Sequence, residues 1–176
     1  MSSPDPSLDS YEPWDPYDNP SQQQTQTNDL KLCQFPDWDS VRAYDDDPPI
    51  YIHYSIEWKV TLNNRAVMGP DTVQDTVLAP AAYWQYFLYP KLDDFWRRKN
   101  RSVRSEDTNV VVSVTQRKEH DLTKRFADTS IDWAVEENQL IAWGEFYRAG
   151  KKLRLKLSFN YVDTSQSSTI ASGLCG

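Results

Sequence analysis

Apolar side chains occupy alternate positions along three stretches of the chain, and each stretch is long enough for a strand. The clearest covers residues 50–62, where mostly polar residues stand between the apolar ones. The same period of two recurs at residues 108–117 and 151–163. Such alternation predicts a β-strand with one buried and one solvated face. A weaker return strand is expected within residues 65–78, where Gly69-Pro70 interrupts the pattern.

Two helical regions are expected where apolar residues recur every three to four positions. Pro80 suits the first turn of a helix over residues 81–89, and Pro90 ends or kinks that helix and starts the next segment. The second helical region covers about residues 130–149 and ends at Gly150. The apolar stripe of the first region consists of Trp84, Leu88, Leu92 and Phe95.

The order of elements, β-(β)-α-β-α-β, predicts an α+β fold. Because the long strands have only one apolar face, we expect a two-layer sandwich in which two helices cover one face of a mixed sheet of about four strands. The other face is expected to be polar and open. Residues 120–126 are expected to form a loop or a single turn, and Trp58, Trp84 and Trp143 are expected in the core.

The flanks differ from this region in composition. Residues 1–48 are rich in Pro, Ser, Asp and Gln, so they are expected to form a disordered acidic arm that buries too little apolar surface to offset its ordering entropy. Residues 49–164 then form the domain, and residues 165–176 form a flexible tail. The aromatic residues of the arm are either incidental or a short linear motif that docks into a groove. They are Trp14, Tyr17, Phe35 and Trp38.

Charge is distributed unevenly along the chain. Residues 1–49 hold eleven acidic and two basic residues, and the remainder holds fifteen acidic and seventeen basic residues, which together give the net charge of −7. Eight basic residues are candidates for a phosphate-binding surface or for an ordinary solvated face. They are Arg97, Arg98, Lys99, Arg101, Arg104, Lys152, Arg154 and Lys156. Among the solvated positions of the long strands only Tyr51 is aromatic, which is a weak signal for base stacking.

Few residues suggest catalysis or metal binding. His53 lies on the solvated face of the first strand, where a general base is conceivable but no nucleophile accompanies it. The run Glu119-His120-Asp121 offers three metal ligands in a row, and adjacent residues rarely converge on one ion. The two cysteines, Cys33 and Cys175, predict free thiols in a reducing compartment. No secretory signal or membrane span is evident, so a cytoplasmic or nuclear location is expected.

Five short stretches within residues 50–163 form a recognisable set: Ile56–Arg65, Val77–Pro80 with Tyr83-Trp84, Asp121–Phe126, Ile131–Trp133 and Gly150–Leu155. Together they resemble an uncharacterised domain of filamentous fungi. This resemblance implies a fungal origin, and it implies no activity, cofactor or catalytic residue.

Together these patterns favour a non-enzymatic, intracellular interaction module that binds a protein partner and uses no cofactor or metal. The alternative is a small nucleic-acid-binding domain whose basic face is gated by the acidic arm. A third hypothesis is an enzyme with dispersed acidic residues, which sequence patterns would not reveal.

Overall fold

A computed structural model describes residues 29–165 of the chain, and this part is an α+β fold built on a mixed five-stranded sheet. The sheet order is β2-β1-β5-β3-β4. Strand β1 is parallel to β5, and every other neighbouring pair is antiparallel. The strands are β1 (Tyr54–Leu62), β2 (Arg65–Thr76), β3 (Val103–Val114), β4 (Leu122–Ala127) and β5 (Leu153–Asp163). The helices are α1 (Pro80–Tyr83), α2 (Tyr89–Lys99), α3 (Trp133–Ala142) and α4 (Gly144–Arg148).

The core lies on one face of the sheet, where the alternation of the strands places their apolar residues. In β5, each of the alternate positions from Leu153 to Tyr161 is buried, and the polar residues between them face the other side. The helices cover this buried face. Trp84 stacks on Phe159 with ring centroids 5.2 Å apart, and Trp96 packs on Tyr161 at 4.9 Å. Period-two burial therefore produces the one-sided sheet that the strand patterns predicted.

Two edge strands differ from the expectation. Residues 122–127 form β4 and not the expected loop. The strand is short, and Lys124 lies between two half-buried residues on its inner face, which interrupts the apolar pattern. Strand β2 continues through Gly69-Pro70, because at an edge the missing proline N–H leaves no ladder bond unmade. The sheet therefore has five strands where about four were expected.

The helical regions also differ in detail. Residues 80–99 form one continuous helical segment, because a π-helical turn at Trp84–Leu88 joins α1 to α2. Tyr89 N–H donates to Trp84 C=O across five residues, and the widened turn accommodates Pro90 without a break. The second region divides into α3 and α4 at Trp143. Trp58 and Trp143 are buried as expected, whereas Trp84 is only half-buried.

Packing begins upstream of the boundary expected at residue 49. We refer to residues 29–50 as the strap. Leu30 and Leu32 are buried in the main core, and Cys33 N–H donates to Val77 C=O at 2.8 Å while Ala79 N–H donates to Cys33 C=O at 2.7 Å. Alternate burial of a few apolar residues holds this segment to the domain despite its polar composition. Residues 1–28 and 166–176 lie outside the described residues, and this includes all of the expected tail except Ser165.

Candidate interaction surfaces

A cluster of aromatic rings reaches the protein surface where the strap meets the helical segment. We call it the aromatic patch, and it consists of Phe35, Trp38, Tyr83, Tyr86 and Phe87. Phe35 stacks on Tyr86 with centroids 3.8 Å apart, and Trp38 meets Phe87 edge-on at 5.4 Å. Phe35, Tyr86 and Phe87 remain 37%, 45% and 39% exposed. The rings therefore pack against one another and still present apolar surface to solvent.

Local structure on both sides positions the patch. On the strap, Phe35 begins a single 3-10 turn, Phe35–Asp37, with proline at its second position. On the helical side, Tyr86 and Phe87 belong to the π-helical turn, and Leu88 of the same turn is buried. A π turn changes the angular spacing of side chains, and such turns are frequent at functional sites. Here the turn buries Leu88 while leaving its two preceding aromatic neighbours at the surface.

The surroundings of the patch are acidic. The strap holds six acidic residues and two basic ones, a net charge of −4. Asp37 and Asp39 are exposed on either side of Trp38. On the helical side, burial and then the nearby Asp71 carboxylate raise the pKa of Tyr83, so its hydroxyl stays protonated at ordinary pH. The patch thus combines apolar rings, a hydroxyl donor and flanking carboxylates.

The four aromatic residues considered as a linear motif fall into two groups. Phe35 and Trp38 contact the chain's own helical segment as members of the aromatic patch. Trp14 and Tyr17 lie outside the described residues. The first pair therefore contributes to a folded surface and is not a free peptide motif.

Four of the eight candidate basic residues lie at or just after the end of α2 and contact groups of the chain itself. Arg97 and Arg98 form ion pairs with acidic residues one turn earlier, at 3.0 Å for Arg98. Arg101 pairs with a carboxylate at the end of β5 at 3.5 Å. Lys99 lies over an aromatic ring of its own helix, 5.6 Å from the centroid. The basic cluster is therefore explained by contacts within the end of α2 and by an ion pair with the end of β5.

The remaining basic residues do not join that cluster into one surface. Three lie at the beginning of β5: Lys152, Arg154 and Lys156. Arg104 pairs with Val162 near the end of β5, whereas Arg154 pairs with Ser113. Ser113 lies nine positions after Arg104 along β3, which corresponds to about 30 Å. The basic residues near the end of α2 and those at the beginning of β5 therefore form two separate groups.

Aromatic rings for base stacking are missing from the open face in the described part of the chain. The outward positions of β1, β3 and β5 between the two basic groups carry hydroxyl, amide, charged and aliphatic side chains. Tyr51 lies half-buried against Tyr44, with centroids 5.6 Å apart. Tyr51 therefore does not lie on the open face of the sheet, where it was expected.

A polar network fills part of the open face. Asp107 accepts hydrogen bonds from Asn160 Nδ2 at 2.6 Å and from Arg125 Nε at 2.9 Å. The bond from Asn160, together with the interactions of Arg125, lowers the pKa of the Asp107 carboxyl despite its burial. The carboxylate has its partners, so the network is consistent with a structural role.

A cavity of about 660 Å³ opens at the end of the sheet where β1 and β5 begin, and His53 lines it. His53 Nδ1 lies 2.8 Å from Asp75 Oδ1, and the imidazole stacks on Tyr147 with centroids 5.7 Å apart. Three cationic side chains line the same cavity: Lys151, Lys152 and Arg154. The sequence did not reveal this arrangement, because Asp75 reaches His53 only through the pairing of β1 with β2.

The three possible metal ligands predicted from the sequence do not form a metal site in the described part of the chain. Glu119, His120 and Asp121 are exposed in the loop before β4. Over residues 29–165, no group of three or more His, Cys, Asp or Glu is placed to hold a metal ion. Within the same range, no helix has the length and apolar character needed to cross a membrane.

Comparisons with known proteins give no assignment. The chain matches no protein-family model, and neither a curated protein nor a solved structure is significantly similar to it. The resemblance to a fungal domain therefore stays a prediction.

Proposed function

We propose that this chain is a non-enzymatic interaction module that binds a protein partner through the aromatic patch. The observation that carries the proposal is the contiguous exposure of Phe35, Tyr86 and Phe87, each more than a third accessible. Aromatic residues are enriched at the centres of protein interfaces, and contiguous apolar surface on a folded domain commonly marks such a site. A buried free thiol at Cys33 agrees with the reducing, intracellular compartment that we propose for it.

The charge around the patch indicates the partner's chemistry. The strap carries a net charge of −4, and its Asp37 and Asp39 flank Trp38 of the patch. Complementary charge steers association and selects partners. The partner segment therefore carries an apolar or aromatic anchor with Lys or Arg next to it. The anchor packs on the exposed rings, and the basic residues meet Asp37 and Asp39.

The nucleic-acid alternative has less support from the same geometry. The carboxylates beside the aromatic patch repel phosphate. The rings that could stack on bases therefore lie in an acidic environment, apart from the basic residues. Arg154 of β5 lies about 30 Å from Arg104 along the sheet. A single-stranded nucleic acid is usually held by rings and cations in one groove. Binding of RNA therefore serves as the competing outcome in the test.

The test is selection of a random displayed peptide library on the full chain, followed by affinity measurement for the enriched peptides. We expect sequences with an aromatic, leucine or proline anchor and a net positive charge. Tyr86→Ser should weaken their binding about 30-fold, corresponding to the loss of about 2 kcal/mol typical of an interface hot spot. The matched control is Ile141→Ser, which removes an exposed apolar side chain from α3, outside the patch.

Three results would contradict the proposal. They are equal binding by the wild type and Tyr86→Ser, enrichment of acidic peptides, and tight binding of an RNA oligonucleotide that Tyr86→Ser does not change. Circular dichroism of both variants separates loss of binding from loss of fold.

A further inference from the structure

The cavity beside His53 has the size of a small-ligand site and a mostly polar and charged lining. Its volume of about 660 Å³ falls within the range of about 300–1,000 Å³ that is usual for ligand pockets. It lies away from the aromatic patch in the fold, since its walls come from the ends of the sheet strands and from α4. The proposed protein interface therefore does not account for it.

His53 is held in one orientation inside this cavity. A carboxylate can only accept, so the Asp75 contact at 2.8 Å assigns the proton to Nδ1. Tyr147 stacks nearly parallel to the ring, with an interplanar angle of 11°. The imidazole is only 12% exposed, and Nε2 has no hydrogen-bond partner within residues 29–165. The hydrogen bond at Nδ1 orients the imidazole, and Nε2 is left available for a hydrogen bond with a polar group of a ligand.

Charges of both signs line the cavity on neighbouring strands of the sheet. Lys151, Lys152 and Arg154 come from the segment that begins β5, while Glu57 and Asp75 come from the β1–β2 hairpin. Three cations against two carboxylates leave an excess of one positive charge. An arginine fork and lysine ammonium groups bind phosphate oxygens, whereas carboxylates accept hydrogen bonds from hydroxyl groups.

Tyr147 adds a donor to the same wall as His53. Burial, and then the Asp75 carboxylate, raise the pKa of Tyr147, so its hydroxyl keeps its proton at ordinary pH. A neutral phenol beside an imidazole gives hydrogen bonds without adding charge.

We propose that this cavity binds a small hydroxylated phosphate monoester, of the sugar-phosphate class. The phosphate lies against Lys151, Lys152 and Arg154, and the hydroxyl groups meet Glu57 and Asp75. His53 Nε2 and the Tyr147 hydroxyl complete the contacts between the two ends of the ligand.

The test is a ¹⁵N NMR titration of the full chain with ribose 5-phosphate, inorganic phosphate and ribose. We expect ribose 5-phosphate to shift the amides of His53, Lys152 and Arg154 and to bind at least about tenfold more tightly than either fragment. Arg154→Ala should weaken that binding by about tenfold or more, and His53→Ala should weaken it independently. The matched control is Lys59→Ala, which removes a cation from the same sheet face but outside this cavity.

Several outcomes would overturn the proposal. One is the absence of shifts at the cavity residues, and another is equal affinity for ribose 5-phosphate and inorganic phosphate, which would show an ion site without a hydroxyl subsite. A third is an equal loss in Lys59→Ala, which would indicate diffuse charge. Tighter binding of a short RNA at these residues would assign them to a nucleic acid. Neither the peptide selection nor Tyr86→Ser affects these readouts, so each proposal can fail separately.

Discussion

Phe35 lies on Tyr86 with ring centroids 3.8 Å apart and ring planes inclined by 15°. This stack joins the strap to the π-helical turn across fifty residues of chain. It also orders the rim of the aromatic patch, because Phe35 packs near Trp38 as well, with ring centroids 6.3 Å apart. A ring contributed by the strap therefore supports the rings contributed by the helical segment.

Removing this stack should loosen the strap. Phe35→Ala is expected to lower the free energy of unfolding by about 1–2 kcal/mol, since an aromatic pair contributes about 0.5–1.5 kcal/mol beyond the area it buries. Urea denaturation measures this loss, and limited proteolysis within residues 39–47 should become faster. Val41→Ala is the control, because Val41 is 90% exposed in the same segment. Equal losses in the two variants would argue against an attached strap.

The buried part of the strap should contribute more to the free energy of unfolding than the exposed part does. Leu32→Ala is expected to cost about 2–5 kcal/mol, the usual range for a large-to-small change in a core, because Leu32 is buried in the main cluster. Thermal unfolding of the full chain measures this cost. Val41→Ala again provides a matched control from the same polar segment. A neutral Leu32→Ala would mean that residues 29–33 contribute nothing to the core.

Glu136 should make stability depend on pH. It is fully buried in α3, its two carboxylate oxygens have no hydrogen-bond partner among residues 29–165, and burial raises its pKa from 4.5 to about 7. Lys124, on β4, partly offsets this rise, and Asp132 adds to it. The folded state keeps the proton to a higher pH than the unfolded state. The contribution of Glu136 to stability is therefore fully present below pH 4.5 and is lost as the pH rises through about 7, a total of about 3 kcal/mol.

Glu136→Gln removes this titration. Its stability relative to the wild type should increase by about 3 kcal/mol between pH 4.5 and pH 8. Chemical denaturation at a series of pH values measures the difference. Glu119→Gln, in an exposed loop, should follow the wild-type curve. Parallel curves for the wild type and Glu136→Gln would disprove the buried, proton-retaining carboxyl.

The long elements could be predicted from the sequence because their periods are sustained. Strand β5 alternates over nine residues, from Leu153 to Tyr161, and burial follows this pattern. Strand β4 could not, because it has six residues and places Lys124 on its inner face. The strap was missed for a related reason. Leu30 and Leu32 are isolated apolar residues in a polar segment, and local composition outweighs two alternating positions.

The candidate sites depended on distances that a sequence does not contain. His53 and Asp75 are twenty-two residues apart, and their contact follows from a hairpin register with several irregularities. Phe35 and Tyr86 meet only after the strap has folded onto the helical segment. The basic residues illustrate the converse. Their density was visible along the chain, but the pairing of β3 with β5 separates Arg104 from Arg154.

The central position of β5 has a consequence for biosynthesis. It lies between β1 and β3, although it is the last strand to emerge from the ribosome. Until then the nascent chain holds two separate hairpins, β1–β2 and β3–β4, and isolated hairpins are marginally stable in water. The native sheet therefore closes only after synthesis has passed Asp163. A chain that ends before Leu153 would have one unpaired edge on β1 and another on β3. Both edges would expose backbone hydrogen-bonding groups to chaperones and proteases.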